Sequence, residues 1–209
     1  MEKKIDTSNW NRKEHFEFFS SFDEPFFSIV AEVDCSIAYK KAKENEHSFF
    51  AYYLYRSLQA VNKVEEFRTR ISGNDVVIFD EIHAAATIGR EDGTFGFSFV
   101  NYSSDFNSFQ KGLKEEVQNV QDSTGIRLNE DAIRLDAIHF STIPWQSFTG
   151  LTHARNFKFQ DSTPKITFGK AFMRDGKKMM PVSVNVHHGL VDAFHLSKFL
   201  DVFQELLNA

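Results

Sequence analysis

At 209 residues the chain has room for one sizeable domain and little more. Hydrophobic residues make up 42% and charged residues 25%, an ordinary globular balance, and a formal charge of −5 without a Lys/Arg cluster argues against nucleic acid as a partner. The single cysteine, Cys35, excludes an intrachain disulfide. It also fits a reducing compartment. The first residues, Met1-Glu2-Lys3-Lys4-Ile5-Asp6, lack the apolar stretch of a secretory leader, and no run of about 18 apolar residues offers a membrane span. These features together predict a cytoplasmic protein with no membrane partner. With no repeat, low-complexity tract or Pro/Gly/Ser-rich linker, residues 1–209 read as one domain.

In chain order, Ser8 or Asn9 is the predicted cap of a helix running to about Phe19. Phe26 to Val33 alternates as a strand. Ser36 to Asn62 is helical, broken near Asn45-Glu46-His47. The turn sequence Ser72-Gly73-Asn74-Asp75 leads into the β-branched run Val76 to Phe79. Ile82 to Gly89 and Thr94 to Val100 read as strands joined across Glu91-Asp92-Gly93, and Asp105 to Val120 as an amphipathic helix. Further strands are predicted at Ala137 to Thr142, Gln146 to Thr152, Lys165 to Met173 and Lys178 to His187, the last two joined by Asp175-Gly176 as a hairpin. A final helix runs from about Asp192 to Leu207 with an apolar stripe of Phe194, Phe199, Leu200, Phe203, Leu206 and Leu207. Strands interspersed with helices in this way predict a two-layer α/β sandwich, a mixed sheet with helices packed on a face.

The 24 phenylalanines are an unusual total and recur in pairs and alternations: Phe18-Phe19, Phe26-Phe27, Phe49-Phe50, then Phe95, Phe97 and Phe99. They fill a core, line a pocket for an apolar ligand, or both.

The stretch most informative about chemistry is Val186-His187-His188-Gly189-Leu190-Val191-Asp192-Ala193-Phe194-His195, where a strand hands over to the last helix. Neighbouring strand residues point to opposite faces, so the two histidines cannot look into one site. That disfavours a metal built on the pair, and no other His/Cys cluster has ligand spacing. Asp192 stands where a carboxylate caps the first N–H groups of a helix. A histidine is suited to taking a proton from a hydroxyl near neutral pH. From these residues alone, a structural histidine with a capping aspartate is as good a reading as a catalytic base.

The spacing His-His-x-x-x-Asp, with its flanks Val184-Asn185-Val186 and Phe194-His195, resembles the signature of the chloramphenicol acetyltransferase family within the CoA-dependent acyltransferase superfamily. Similar matches occur in order along the chain: Asn9-Trp10-Asn11-Arg12-Lys13-Glu14-His15-Phe16-Glu17, Glu66-Phe67-Arg68, Tyr102-Ser103-Ser104-Asp105, Pro144-Trp145 and Ile166-Thr167-Phe168-Gly169-Lys170. The resemblance implies an O-acetyltransferase that moves acetyl from acetyl-CoA to a hydroxyl of chloramphenicol, an antibiotic-resistance activity, without a metal and without an acyl-enzyme. It implies His188 as general base, Asp192 as a structural partner of Arg12, Thr167 as the residue that positions water beside the tetrahedral intermediate, and Lys170 as a cofactor contact. It further implies a homotrimer in which His188 of one chain faces a pocket formed largely by its neighbour.

Several positions depart from the family pattern. Its oxyanion-stabilising serine falls on Gly150. If Gln146 to Thr152 is a strand, Phe148 and Thr152 share the face of Gly150, Thr152 lying about 6.6 Å along. A bound water, or a backbone N–H at a bulge, is the better substitute. Phe97 replaces a small pocket residue, Ala193 the usual glycine, and Ala171 a tyrosine that contacts the cofactor. Phe26, Phe27 and Phe95 keep the aromatic lining. These departures leave open the same chemistry on another hydroxyl or amine acceptor, and a non-catalytic trimer that binds an apolar ligand.

Overall fold

The computed structural model describes all of residues 1–209. In chain order the elements are β1 (Glu2–Lys4), α1 (Lys13–Ser20), β2 (Phe26–Asp34), α2 (Ser36–Glu44), α3 (Phe49–Lys63), β3 (Thr69–Ser72), β4 (Asp75–Phe79), β5 (His83–Gly89), β6 (Phe95–Phe97), α4 (Phe106–Gln121), β7 (Ala137–Ile143), β8 (Lys165–Gly169), β9 (Phe172–Arg174), β10 (Lys177–His187) and α5 (Ala193–Asn208). Seven strands form the main sheet in the order β2-β10-β8-β7-β5-β6, with β9 paired to β10. β1, β4 and β3 form a small second sheet. The β5–β7 and β7–β8 pairs are parallel and the others antiparallel, which makes the main sheet mixed.

Helix starts follow local chemistry. Ser48 accepts the Ala51 N–H at 3.3 Å to open α3, and Asp105 accepts the Ser108 N–H at 2.7 Å to open α4. The predicted break at Asn45-Glu46-His47 separates α2 from α3, with Glu46 in the left-handed region at φ 56°. In the β9–β10 hairpin, Asp175 and Gly176 both take positive φ, 51° and 77°, as a tight turn between twisted strands requires. No helix is long and apolar enough to cross a membrane.

Alternation divides the main sheet into two unlike faces. On one, Val182, Val184 and Val186 of β10, Ile166 and Phe168 of β8, Ile138 and Phe140 of β7 and Ala84 and Ala86 of β5 are buried in the core. The apolar stripes of the helices join that core, with Leu54, Leu58 and Val61 from α3 and Phe199 and Phe203 from α5. On the other face, cross-strand neighbours form two polar rows. Thr87, Ser141, Thr167 and Ser183 make one, and His139, Lys165, Asn185 and Ser28 the other. The sheet with helices on a face is the two-layer α/β sandwich read from the sequence.

Four local expectations are corrected. First, Gln146 to Thr152 is not a strand: β7 and β8, which flank it in sequence, already have partners on both edges, and the open outer edges of the main sheet belong to β2 and β6. Residues 144–164 instead run irregularly over the polar face, where Phe148 packs within contact range of Gly169 and Gln146 accepts the Lys170 N–H at 2.9 Å. Second, Lys165 to Met173 splits into β8 and β9. Both pair with β10, on either side of Met180 and Pro181, and Pro181 has no N–H to donate to a ladder. Third, α1 begins at Lys13, not after Ser8 or Asn9. Ser8 donates its N–H and hydroxyl to Asp6, and Arg12 at the cap position makes no side-chain cap. The strand predicted at Thr94 to Val100 also shortens to β6, followed by an isolated bridge from Val100 to Ala84.

Arg12 is buried and turns its guanidinium away from α1. Its Nη1 donates to Asp192 Oδ2 at 2.6 Å and its Nη2 to the His188 carbonyl at 3.1 Å, tying the first helix to the junction of β10 and α5. Burial alone would raise the Asp192 carboxyl. The hydrogen bond from Arg12, with the charges of His195 and Arg12, outweighs it and holds the carboxyl below the usual range. Because the folded value is depressed, the stability contributed by this pair is present above the unfolded aspartate range and lost as pH falls through it. Arg12→Ala is therefore expected to cost about 1–3 kcal/mol in urea unfolding at neutral pH. Its gap from wild type should close as pH drops below about 4. A gap that stays constant into acid would show that the pair contributes no pH-dependent stability.

Candidate active site

β10 ends at His187, and the turn that follows places two adjacent imidazoles in opposite settings. His187 is buried at 3% exposure, meets Phe26 edge-on with ring centres 5.4 Å apart, and accepts the Gly189 N–H on Nδ1 at 3.1 Å. Burial, with the charge of Arg155 adding to it, pushes this imidazole down to about 4, so it is neutral at physiological pH. Gly189 is favoured here by close approach, since a Cβ would lie 3.0 Å from the His187 ring and 3.3 Å from the Phe16 backbone, and those neighbours would have to give way by a few tenths of an ångström.

His188 is half-buried. Its ring stacks on Phe19 of α1 at 3.8 Å and an interplanar angle of 10°, and Phe27 of β2 lies 4.5 Å away on a tilt. Its backbone N–H donates to the Pro25 carbonyl at 2.8 Å, and its carbonyl receives Arg12. Both backbone groups of His188 are thus pinned while Nδ1 finds no partner within the chain. Asp192 does not touch the imidazole. Its Oδ1 caps α5 by accepting the N–H groups of Phe194 and His195, and its Oδ2 receives Arg12. His195 completes a capping box by accepting the Asp192 N–H at 3.2 Å.

Thr167 lies in the polar rows of the sheet, 1% exposed, with its hydroxyl unpartnered within the chain. It lines a cavity of about 440 Å³ together with Phe95, Phe97, His139, His153 and Lys165. Of the residues picked from the sequence, the structure gathers Thr167, Phe95 and Phe97 into this cavity. Phe26 and Phe27 lie apart from it, packed against His187 and His188, and His188 does not line it either. Gly150, Thr152 and Lys170 are exposed and also lie outside it, so the alternation argument linking Gly150 to Thr152 lapses with the strand it assumed. A Cβ added at Gly150 would meet nothing within 4 Å.

Three titratable lining residues went unremarked in the sequence: His139, His153 and Lys165. His139 and Lys165 follow from alternation, opposite the core residues Ile138 and Ile166. His153 comes from the irregular segment, which has no period to read. Burial first, then the charge of Lys165, brings His139 down to about 4, and the same two causes lower His153. Lys165 is lowered by burial, against the opposing pull of Asp161, whose Oδ2 lies 2.5 Å from its ammonium. Cys35 is buried with its thiol raised to about 11 by that burial, and donates to the Lys178 carbonyl, a setting for a structural thiol and not a nucleophile. No group of three or more His, Cys, Asp or Glu side chains is arranged to hold a metal ion.

The family model for chloramphenicol acetyltransferase matches residues 2–204. The chain is 31% identical over 206 residues to a chloramphenicol acetyltransferase of Proteus mirabilis, covering 96% of this chain and 92% of that protein. It is 30% identical over 207 residues to one of Campylobacter coli, covering 98% of each. A solved structure of a chloramphenicol acetyltransferase superposes with a TM-score of 0.91 at 33% identity, covering 99% of this chain and all of that one. A dihydrolipoamide acetyltransferase of Azotobacter vinelandii, 14% identical, shares the fold with a TM-score of 0.67, over 93% of this chain and 86% of that one. Family model, relatives and architecture agree over nearly the whole length, and the chain belongs to the chloramphenicol acetyltransferase family of acyltransferases.

Proposed function

We propose that this chain, acting as one catalytic domain in the cytoplasm, transfers acetyl from acetyl-CoA to a hydroxyl of a small acceptor in a ternary complex, with chloramphenicol as the acceptor its family suggests. His188 takes the hydroxyl proton, and the freed oxygen attacks the thioester carbonyl carbon. The tetrahedral intermediate collapses with cleavage of the carbon–sulfur bond, and the proton leaves on the CoA thiol. Thr167 stands beside the reacting centre as a hydroxyl that orients water, and Lys170 contacts the CoA. The observation that carries this reading is the clamp on His188: Arg12 on its carbonyl, Pro25 on its N–H and Phe19 stacked on its ring fix an imidazole that is only half-buried.

Catalysis in a homotrimer is supported by the separation of the two parts of the site. His188 does not line the cavity that holds Thr167, and a second copy docked against the polar face would supply an imidazole to it. Phe157 and Phe159, 67% and 72% exposed in the segment that crosses that face, are the kind of apolar surface that a partner chain covers.

A second reading, the same chemistry on a different acceptor, is favoured by the cavity wall. His139, His153 and Lys165 are poor company for a wholly apolar ligand.

The test is thiol release from acetyl-CoA with chloramphenicol and with other alcohols and amines. Turnover is expected with wild type and should fall by about 10²–10⁴-fold in His188→Ala with the fold intact by circular dichroism. Thiol release only with other acceptors would establish the second reading, and none with any acceptor would leave a trimeric binder. Gly150→Ser tests the missing oxyanion donor, and the open space there accommodates the side chain. It is expected to raise chloramphenicol acetylation, by as much as about 10²-fold. An unchanged or lower rate would show that another group already serves.

A further inference from the structure

The cavity beside Thr167 has two unlike ends. Phe95, Phe97, Leu128 and Ala132 make an apolar wall, while His139, His153, Lys165 and Thr167 make a polar one. The polar end carries positive charge. Lys165 and Arg155, with side chains 13% and 10% exposed, both depend on Asp161, at 2.5 and 3.9 Å. The half-exposed Glu24 gives Arg155 a second partner at 3.3 Å. Behind them Arg70 is fully buried and donates only to backbone carbonyls, those of Phe67, Thr69 and Ala137, with no carboxylate in contact. Lys165 lines the cavity, while Arg155 and Arg70 stand behind its wall, where Asp136 as well as Asp161 acts on Arg70; at His139 the cations are opposed by Asp161. Burial and these same cations disfavour a proton on both His139 and His153.

Two further groups at this end are buried and unpartnered within the chain, His153 Nε2 and Thr167 Oγ1, and both residues line the cavity. Buried polar atoms of this kind are ordinarily satisfied, and a ligand oxygen is the natural partner for a donor in a positively charged cleft. A structural role for the Lys165–Asp161 pair explains one ion pair. It explains neither the further positive charge of Arg155 and Arg70 acting on the two histidines nor the open hydrogen-bonding position at His153 Nε2.

We propose that this cavity selects an acceptor with a ring-sized apolar body and a carboxylate next to its reacting hydroxyl, the body against Phe95 and Phe97 and the carboxylate at His153 and Lys165, with the Thr167 hydroxyl left to the water beside the reacting centre. The inference rests on the acyltransferase reading above and deepens it, since a neutral acceptor would leave that further positive charge unanswered.

The experiment uses 3-phenyllactate and its neutral methyl ester as probes, with binding measured by calorimetry without acetyl-CoA and thiol release measured in parallel. Wild type is expected to bind the carboxylate at least about tenfold more tightly than the ester, the scale of one charge-assisted contact. Lys165→Met should abolish that difference. Because this variant leaves Asp161 with Arg155 alone, at 3.9 Å, Lys165→Met/Asp161→Asn, which removes the close pair together, guards against a folding defect and should show the same loss. His153→Leu should weaken binding of the carboxylate and leave that of the ester unchanged. Equal binding of the two probes, tighter binding of the ester, or no binding of 3-phenyllactate overturns the proposal, even if chloramphenicol is acetylated. Carboxylate-selective binding lost in the variants supports it, even if no acceptor releases thiol, in which case the enzymatic reading is the one that fails.

Discussion

Strand β10 is the constraint on which the rest of the molecule is hung. Its valines point into the helices and its alternate residues, Ser183, Asn185 and His187, point into the polar face, so one strand fixes both layers at once. It pairs along nine residues with β2, which brings Phe26 and Phe27 to the two histidines. On its other edge it holds β8, which carries Thr167 and Lys165. Its last residue is followed directly by the clamped His188. Shifting β10 by one residue against either neighbour would exchange the faces and place valines in the cavity.

Much of this was legible in the sequence. The period of the last helix, the hairpin at Asp175-Gly176, the alternation of Val182 to His187 and the prediction that His187 and His188 must part company all depend on local rules, and those rules hold where neither edge nor face is contested. The errors share one physical cause. Gln146 to Thr152 has a strand's composition, but its neighbours in sequence, β7 and β8, have no free edge to offer it, and which strands keep one, here β2 and β6, is decided by the whole sheet. Local rules start α1 too early because Ser8 or Asn9 reads as its cap, whereas Arg12 at the cap position gives its side chain to Asp192, a pairing that the family resemblance implies and local rules do not. β1 carries no apolar alternation at all and exists because β4 offers it an edge.

The site was partly legible for the same reason. Resemblance picked out Thr167, Phe95 and Phe97, which do share a cavity, and alternation alone could have added His139 and Lys165. What neither could supply is the distribution of charge around that cavity. That depends on an irregular segment with no period, whose residues His153, Arg155 and Asp161 acquire meaning only once they lie over β8. Membership of a family therefore fixes architecture and reaction class more firmly than it fixes the wall of the pocket, where single side chains decide what is admitted.

The bond from Arg12 to Asp192 also bears on when the protein becomes competent during synthesis. The two residues are 180 positions apart, one before the first long strand of the main sheet and the other after its last. A nascent chain with only its first half emerged can close β3 on β4, yet the cation at position 12 has nothing to grasp until the final strand and helix leave the ribosome. The clamp on His188 is consequently among the last features to form, and a chain cut short before α5 keeps most of its length while lacking the anchor that orients the imidazole.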